Sequence, residues 1–407
     1  MATAHIGIAG AGLLGRLLAW HLSRQGLKVQ VFDPAPGAAP QWDGQGAAGF
    51  TAAGMLSPLA ELDNAEPDVA ARGWVGLACW QAVAAELGQP ALVQRRGSLL
   101  VAHGSDVGSA NRVLVRLQAA AQDATFQSEA HRSQAGLPDD TLAGIDLKAG
   151  DGAVHAYPLQ AGRLQQLEPD LHSSQGTLHG WWLPGEGQID TQATLMALHD
   201  QAVGAGVQWH WGTRVTQAEA GQLTTADGQT HHFDTVIDTR GVGARPALDV
   251  RGVRGEVVWL DAPEVTLHRP VRLLHPRHRV YIVPRGDGRV LVGASELESE
   301  DRSPVSLRSA VELMAAAHSV VPGLAEARIL KLDRSLRPAT PDHRPVCVAQ
   351  PGLLRLNGLY RHGWLLGPAL AQQGLQAMGW AGLPGAWAAP ATMATASAPA
   401  PLLLGSR

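Results

Sequence analysis

Ile6-Gly7-Ile8-Ala9-Gly10-Ala11-Gly12-Leu13-Leu14-Gly15 decides the fold, together with the Lys28-Val29-Gln30-Val31-Phe32-Asp33 that follows it. Residues 6–9 form a short apolar run of the kind that makes a buried parallel strand. Leu13, Leu14, Leu17, Leu18 and Leu22 then repeat at helical spacing as far as Gly26, a residue type suited to the position just past a helix end. Residues 28–32 read as a second strand that ends on Asp33. The order strand, glycine turn, helix, strand, acid predicts a β-α-β unit that binds a dinucleotide. Gly10 is placed to make the tight turn, Gly12 to let a pyrophosphate approach the backbone, and Gly15 to let helix and sheet pack closely. The helix start offers N–H donors and the positive end of its dipole to the phosphates. Asp33 is placed to accept hydrogen bonds from the adenosine ribose.

The next segment bears on whether the dinucleotide is FAD or NAD. Residues 46–58 read Gly-Ala-Ala-Gly-Phe-Thr-Ala-Ala-Gly-Met-Leu-Ser-Pro, too rich in small residues for an ordinary core element. Small side chains let the backbone come close to something large and flat. An amphipathic stretch over 69–87 follows and stops at Gly88, where a nicotinamide dehydrogenase would more typically continue with regular β-α-β repeats.

Composition sets the outer bounds. A chain of 407 residues predicts two or three domains. With 45% apolar and 17% charged residues it can bury a sizeable core, which excludes wholesale disorder. Lys+Arg 32 against Asp+Glu 36 leaves −4, which argues against a nucleic-acid binder. Two cysteines, Cys79 and Cys347, cannot make a disulfide framework or a cysteine-rich zinc site. No apolar run approaches the ~18 residues of a membrane span, and the N-terminus lacks a basic leader segment. The expectation is a soluble protein of a reducing compartment, the cytoplasm.

Beyond the first unit, residues 94–103 read as a strand and 111–122 as a helix. Residues 124–156 are polar and Gly/Asp/Ser-rich, and read as an elaborated loop. Asp190 is a good N-cap for a helix over 191–203. Strands are predicted over 207–211, 235–238 and 254–260. Residues 280–284 and 289–293 flank the turn Arg285-Gly286-Asp287-Gly288 as a hairpin. Helices follow over 306–318 and 363–378, and the chain then turns Ala/Pro-rich. The β-rich stretch around 245–330 interrupts α/β-like segments. The predicted architecture is therefore α/β plus antiparallel β. A discontinuous, Rossmann-like cofactor domain (1–90, 185–245, 331–383) accompanies a substrate domain with a mixed or antiparallel sheet (91–184, 246–330). Residues 384–407 form a tail.

The chain resembles the D-amino-acid oxidase family of FAD-dependent amine oxidases, and within it the glycine oxidase branch associated with the thiazole half of thiamine. The similarity spans residues 4–380 apart from 124–156. It is carried by Gly10/Gly12/Gly15 with Asp33, and by Ala52-Ala53-Gly54-Met55-Leu56. Tyr281-Ile282-Val283-Pro284 with Val292-Gly293-Ala294 adds to it, as does Leu336-Arg337-Pro338 through Pro341-Asp342 to Gly358-Leu359-Tyr360-Arg361-His362-Gly363. The resemblance implies that Arg337 grips the substrate carboxylate, with Tyr281 hydrogen-bonding the same group and Arg361 beside the flavin. A guanidinium fork suits a carboxylate in a way Lys cannot match. Yet 29 of the 32 cations are Arg, so an ordinary ion-pair role for Arg337 or Arg361 stays open, as does a core role for Tyr281. The resemblance further implies a cofactor shell of Gly10, Gly12, Leu13, Leu14, Gly15, Asp33, Ala52, Ala53, Gly54, Met55, Val215, Arg361, His362, Gly363, Trp364 and Leu365. The helix opening at 362–366 would sit at the flavin pyrimidine ring, where amide donors stabilise negative charge. The implied reaction takes a small amino acid, with its amine neutral, to the imino acid by hydride transfer to flavin N5. Oxygen then serves as acceptor and yields hydrogen peroxide. Homo-oligomerisation is left open.

Two departures from the family pattern matter. Related enzymes often carry Met where this chain has Glu296, after Gly293-Ala294-Ser295. Facing the pocket, Glu296 would disfavour apolar substrate side chains and favour glycine or a substrate with a cationic or hydrogen-bonding group; facing solvent, it would do nothing, and the strand register decides. Covalent flavin attachment in sarcosine-oxidase relatives uses a Cys just before the Pro-Asp segment, and Ser335-Leu336-Arg337-Pro338 has none, so the FAD is expected to be non-covalent. No metal is expected: His275 and His278 are interrupted by Pro276 and lack a third ligand. Trp181-Trp182 and Trp209/Trp211 are expected in sheets, with one of them a candidate wall of the substrate pocket. A D-amino-acid or sarcosine-type oxidase or dehydrogenase is the nearest alternative. A flavin hydroxylase would need a late Gly-Asp motif, which is absent. A non-catalytic FAD module would not need Arg337, Tyr281 and Arg361 together.

Overall fold

The computed structural model describes residues 4–63, 65–135, 154–173, 176–275 and 279–387. His5–Ala9 lies in the middle of a six-stranded sheet, parallel to Lys28–Asp33 on one side and Thr235–Asp238 on the other. The order runs Val346–Gln350, Leu353–Asn357, Thr235–Asp238, His5–Ala9, Lys28–Asp33, Gln208–Trp211, and only the Val346–Gln350 edge is antiparallel. Ile6, Ile8, Val29, Val31 and Ile237 are buried, as expected of parallel strands covered on both faces.

The helix Leu13–Arg24 is buried on nearly every side, between the helices Thr191–Gly204 and Gly363–Ala377. Buried Arg16 is tolerated there because its guanidinium donates to three carbonyls, Ala11 at 2.8 Å, Leu195 at 3.0 Å and Ala38 at 2.7 Å. Asp190 caps Thr191–Gly204 through the Ala193 N–H at 3.0 Å, as its sequence position predicts. The helix Pro67–Glu86 packs on Gly363–Ala377 through Gly76, where a Cβ would lie 2.0 Å from the Leu365 carbonyl oxygen. Pro368 sits sixth in Gly363–Ala377 and has no N–H for the Trp364 carbonyl; Trp80 Nε1–H supplies the missing donor at 2.6 Å.

The second sheet has eight strands in the order Arg328–Ala339, Arg251–Asp261, Arg289–Gly293, Arg279–Pro284, Val271–Leu274, Ser98–His103, Leu178–Leu183, Tyr157–Leu159. All its pairings are antiparallel except Val271–Leu274 with Ser98–His103. The predicted hairpin is present, with Tyr281 opposite Gly293. The mixture of a parallel α/β layer and a mainly antiparallel sheet is the fold class read from sequence. Arg328–Ala339 belongs wholly to this second sheet, so a boundary at 331 falls inside a strand.

Other expectations need correction. Residues 94–103 are two strands, Val93–Gln94 and Ser98–His103, because Arg95 turns inward to the Gly185 carbonyl at 2.9 Å and the Ser133 carbonyl at 2.7 Å. The region 124–156 is not all loop. Ala124–Gln134 is a helix capped by Asp123 and seated on buried Phe126 and Ala130; residues 136–153 lie outside the described residues. So do His278 and most of the Ala/Pro-rich tail, from 388 onward. No helix among the described residues is long and apolar enough to cross a membrane, and no group of metal-ligating side chains occurs among them.

Candidate active site

The glycine turn, the small-residue segment and the hairpin meet at a cavity of about 1100 Å³. Gly10, Gly12, Leu13, Leu14 and Asp33 line it from the first β-α-β unit, and Ala52, Ala53, Gly54 and Met55 from the segment after Ala48–Thr51. Val215, Arg361, His362, Gly363, Trp364 and Leu365 complete the expected cofactor shell, and Tyr281 and Arg337 line the same space. Gly15 alone does not reach it. A Cβ at Gly15 would lie 1.9 Å from the Gly10 carbonyl oxygen, so its place is the helix–turn packing. None of the four strand tryptophans lines the cavity; Trp364 does, and its Nε1–H is held by the Gly49 carbonyl at 3.0 Å.

The cradle suits a dinucleotide. Gly10 has φ +99° and touches the Thr239 backbone, so the turn excludes any side chain there. At Gly12 a Cβ would meet only Ala47 Cβ, at 3.6 Å, so that side of the turn is open. Leu13–Arg24 and Gly363–Ala377 both begin without a side-chain cap and without an acid in the first turn. Two helix starts without side-chain caps therefore line one cavity, with the positive ends of their dipoles matched to a pyrophosphate and an electron-rich ring edge. Asp33 is held by the N–H groups of Ala11 at 2.6 Å and Ala35 at 2.8 Å.

Around Tyr281 the cavity is cationic, and here the structure adds residues the sequence reading did not single out. Arg272, opposite Tyr281 in the sheet, pairs with Glu61 at 2.5 Å. Arg361 lies 3.3 Å from the other Glu61 oxygen, and His362 Nδ1 lies 3.2 Å from that oxygen. Burial alone would raise the Glu61 carboxyl, but Arg272, Arg361 and His362 outweigh it and hold the group well below the usual carboxylate range. Burial likewise opposes charge on Arg361, and Glu61 and Glu296 reverse the balance, so it stays a fixed cation. Burial raises the Tyr281 hydroxyl above its ordinary value despite Arg337 and Arg272 nearby, which leaves a neutral O–H donor.

Arg337 differs from its neighbours. Among the described residues it makes no ion pair; its Nη1 donates to the Ser295 carbonyl at 3.1 Å. Its guanidinium lies over Gly255, where a Cβ would come within 2.3 Å of Nη2. Glu296, half exposed, faces neither open solvent nor the cavity alone. It accepts from the Tyr360 hydroxyl at 2.6 Å and lies 3.6 Å from Arg361 Nη1.

The family model described as DAO, FAD dependent oxidoreductase, matches residues 5–374. Over 367 residues the chain is 34% identical to the putative thiamine biosynthesis oxidoreductase ThiO of Rhizobium etli, covering 89% of this chain and 93% of that protein. It is 27% identical over 376 residues to the glycine oxidase of Geobacillus kaustophilus, covering 89% of each. The crystal structure of glycine oxidase from Geobacillus kaustophilus shares the fold with a TM-score of 0.71 at 23% identity, covering 94% of this chain and 97% of that one. The chain thus belongs to the DAO family of FAD-dependent oxidoreductases.

Proposed function

We propose that this flavoprotein is an amino-acid oxidase that converts glycine or another small amino acid to its imino acid, with oxygen as acceptor and hydrogen peroxide as co-product. The observation that carries the reading is Arg337: a guanidinium without an ion-pair partner among the described residues, in the same cavity as the dinucleotide cradle. A carboxylate is the natural complement of that fork.

Arg337 binds the substrate carboxylate, and the neutral Tyr281 hydroxyl donates a second hydrogen bond to it. These two contacts fix the α-carbon, and orientation supplies most of the rate. Bound FAD supplies the hydride acceptor. The small residues Ala52, Ala53 and Gly54 would leave room for its flat ring, and Val215, on the same cavity, would contact the cofactor. The helix start at Gly363, which lines the cavity, would hold the ring and stabilise the negative charge it gains. No side chain need act as general base once the amine is neutral. The cavity lining contains no cysteine among the described residues, and Cys79 and Cys347 are buried away from it, which supports non-covalent FAD. Residues from both sheets contribute, which fits a cofactor domain and a substrate domain meeting at the flavin. The thiamine-related name of the Rhizobium etli relative supports a role in thiamine biosynthesis, where the imine would feed thiazole assembly.

The test is a peroxide assay of the purified yellow protein with glycine, sarcosine and D-alanine. Peroxide formation with at least one of them is expected; none with any of the three would refute the reading.

A further inference from the structure

Three guanidinium groups line the cavity near Tyr281, those of Arg272, Arg337 and Arg361. Two carboxylates share that wall. Glu61, buried, bridges Arg272 and Arg361, and Glu296 approaches Arg361 from the rim. Asp63, which also lines the cavity, is paired with Arg116. Arg285, behind the wall, donates to the carbonyls of Ala53 and Ile189. Among the described guanidinium and carboxylate groups that line this wall, three positive charges against two negative ones leave one cation without a carboxylate. The ion pairs assign it to Arg337.

Glu296 is the adjustable member of this set. Glu61 is buried and holds Arg272 and Arg361 together. Glu296 is half exposed, and its separation from Arg361 is loose at 3.6 Å. Its second contact, the Tyr360 hydroxyl, needs only an oxygen acceptor.

We propose that Glu296 is a specificity-determining residue: by engaging Arg361 it leaves Arg337 as the one guanidinium without an ion pair among the described residues of the wall at Tyr281, so the pocket takes substrates with one carboxylate and disfavours those with two anionic groups. The proposal rests on the amino-acid reading above. A second carboxylate on the substrate would have to compete with Glu296 for Arg361 and sit beside a like charge. Glutamine at 296 keeps the oxygen for Tyr360 and removes both obstacles.

The test uses the FAD-loaded full chain and two ligands that cannot be oxidised as amines, glycolate with one carboxylate and diglycolate with two. Each is titrated, and Kd is read from the change in the flavin visible spectrum. Relative to the parent, Glu296→Gln shifts the Kd ratio toward diglycolate by roughly tenfold or more, the scale of one like charge at this distance. Glu296→Asp, which keeps the charge, stays within about twofold of the parent ratio. An unchanged ratio in Glu296→Gln overturns the proposal, as does an equal shift in Glu296→Asp or no diglycolate signal in the glutamine variant. Peroxide formation from glycine by the parent separates the two levels. Glycine turnover with an unmoved ratio defeats this inference alone, whereas no turnover of any amino acid defeats the reading beneath it.

Discussion

Gly255→Ala probes the carboxylate site without touching a charged group. The alanine Cβ would lie 2.3 Å from Arg337 Nη2, 2.4 Å from Cζ and 2.8 Å from Nη1. Non-bonded heavy atoms settle near ~3.5 Å, so the guanidinium must move by about 1 Å. It can do so at small cost to the fold, since the obstructing atoms are the far end of a flexible side chain and not backbone. The substrate carboxylate moves with it, and a misplacement of about 1 Å at a reacting centre can cost roughly 100-fold in rate. Steady-state kinetics with glycine or the best amine found should therefore show kcat/KM down on the order of 100-fold, with the flavin spectrum and Tm close to the parent. A variant with parental kcat/KM would show that Arg337 does not position the substrate, and a variant that loses its flavin would show that the strand cannot relax as argued.

Arg337→Ala should reduce kcat/KM by the equivalent of roughly 2–5 kcal/mol with the flavin spectrum preserved, because it leaves the substrate carboxylate unmatched. Arg337→Lys should recover only part of that loss, since a point charge cannot reproduce the fork. Full activity in either variant would remove Arg337 from the site. Acid precipitation should release all the yellow colour into the supernatant; colour on the pellet would mean a covalent flavin. Burial pushes the Glu186 carboxyl up to about 7, against hydrogen bonds from Ser98 and the Ala60 N–H. The native state thus keeps a proton that the unfolded chain loses above ~4.3. Its contribution is complete below that pH and is lost as pH rises toward 7. Glu186→Gln should flatten the unfolding free energy against pH over that window by about 4 kcal/mol at most; an unchanged profile would contradict the assignment.

The first β-α-β unit was legible because several local constraints coincide in it. Gly10, Gly15 and Asp33 each have a requirement that neighbouring residues impose, and the apolar spacing of Leu13, Leu14, Leu17 and Leu18 has one period. Asp190 and the 280–293 hairpin were legible for the same reason, since cap and turn chemistry act over a few residues. The helix Ala124–Gln134 was not, because it is polar on most of its surface and is held by Phe126 and Ala130 packing on elements far away in sequence. Glu61 was invisible for a related reason. It ends a four-residue helix and finds Arg272 only across 211 positions of chain. Gly255 reads as one glycine among 47 until Arg337, in the neighbouring strand, is seen lying on it. At Glu296 the sequence offered two orientations. The structure shows a third, with the carboxylate turned to Tyr360 and Arg361, partners that local alternation could not name.

The central claim is that a small amino acid gives up its α-hydrogen in the cavity shared by Arg337 and the dinucleotide cradle. Anaerobic mixing of the purified holoprotein with glycine, sarcosine or D-alanine tests it without reference to the final electron acceptor. The account predicts that at least one of the three bleaches the yellow flavin band to completion in the parent, and that Arg337→Ala slows the bleaching at the same substrate concentration. A flavin band that stays fully oxidised with all three, or one that bleaches equally fast without Arg337, would contradict it.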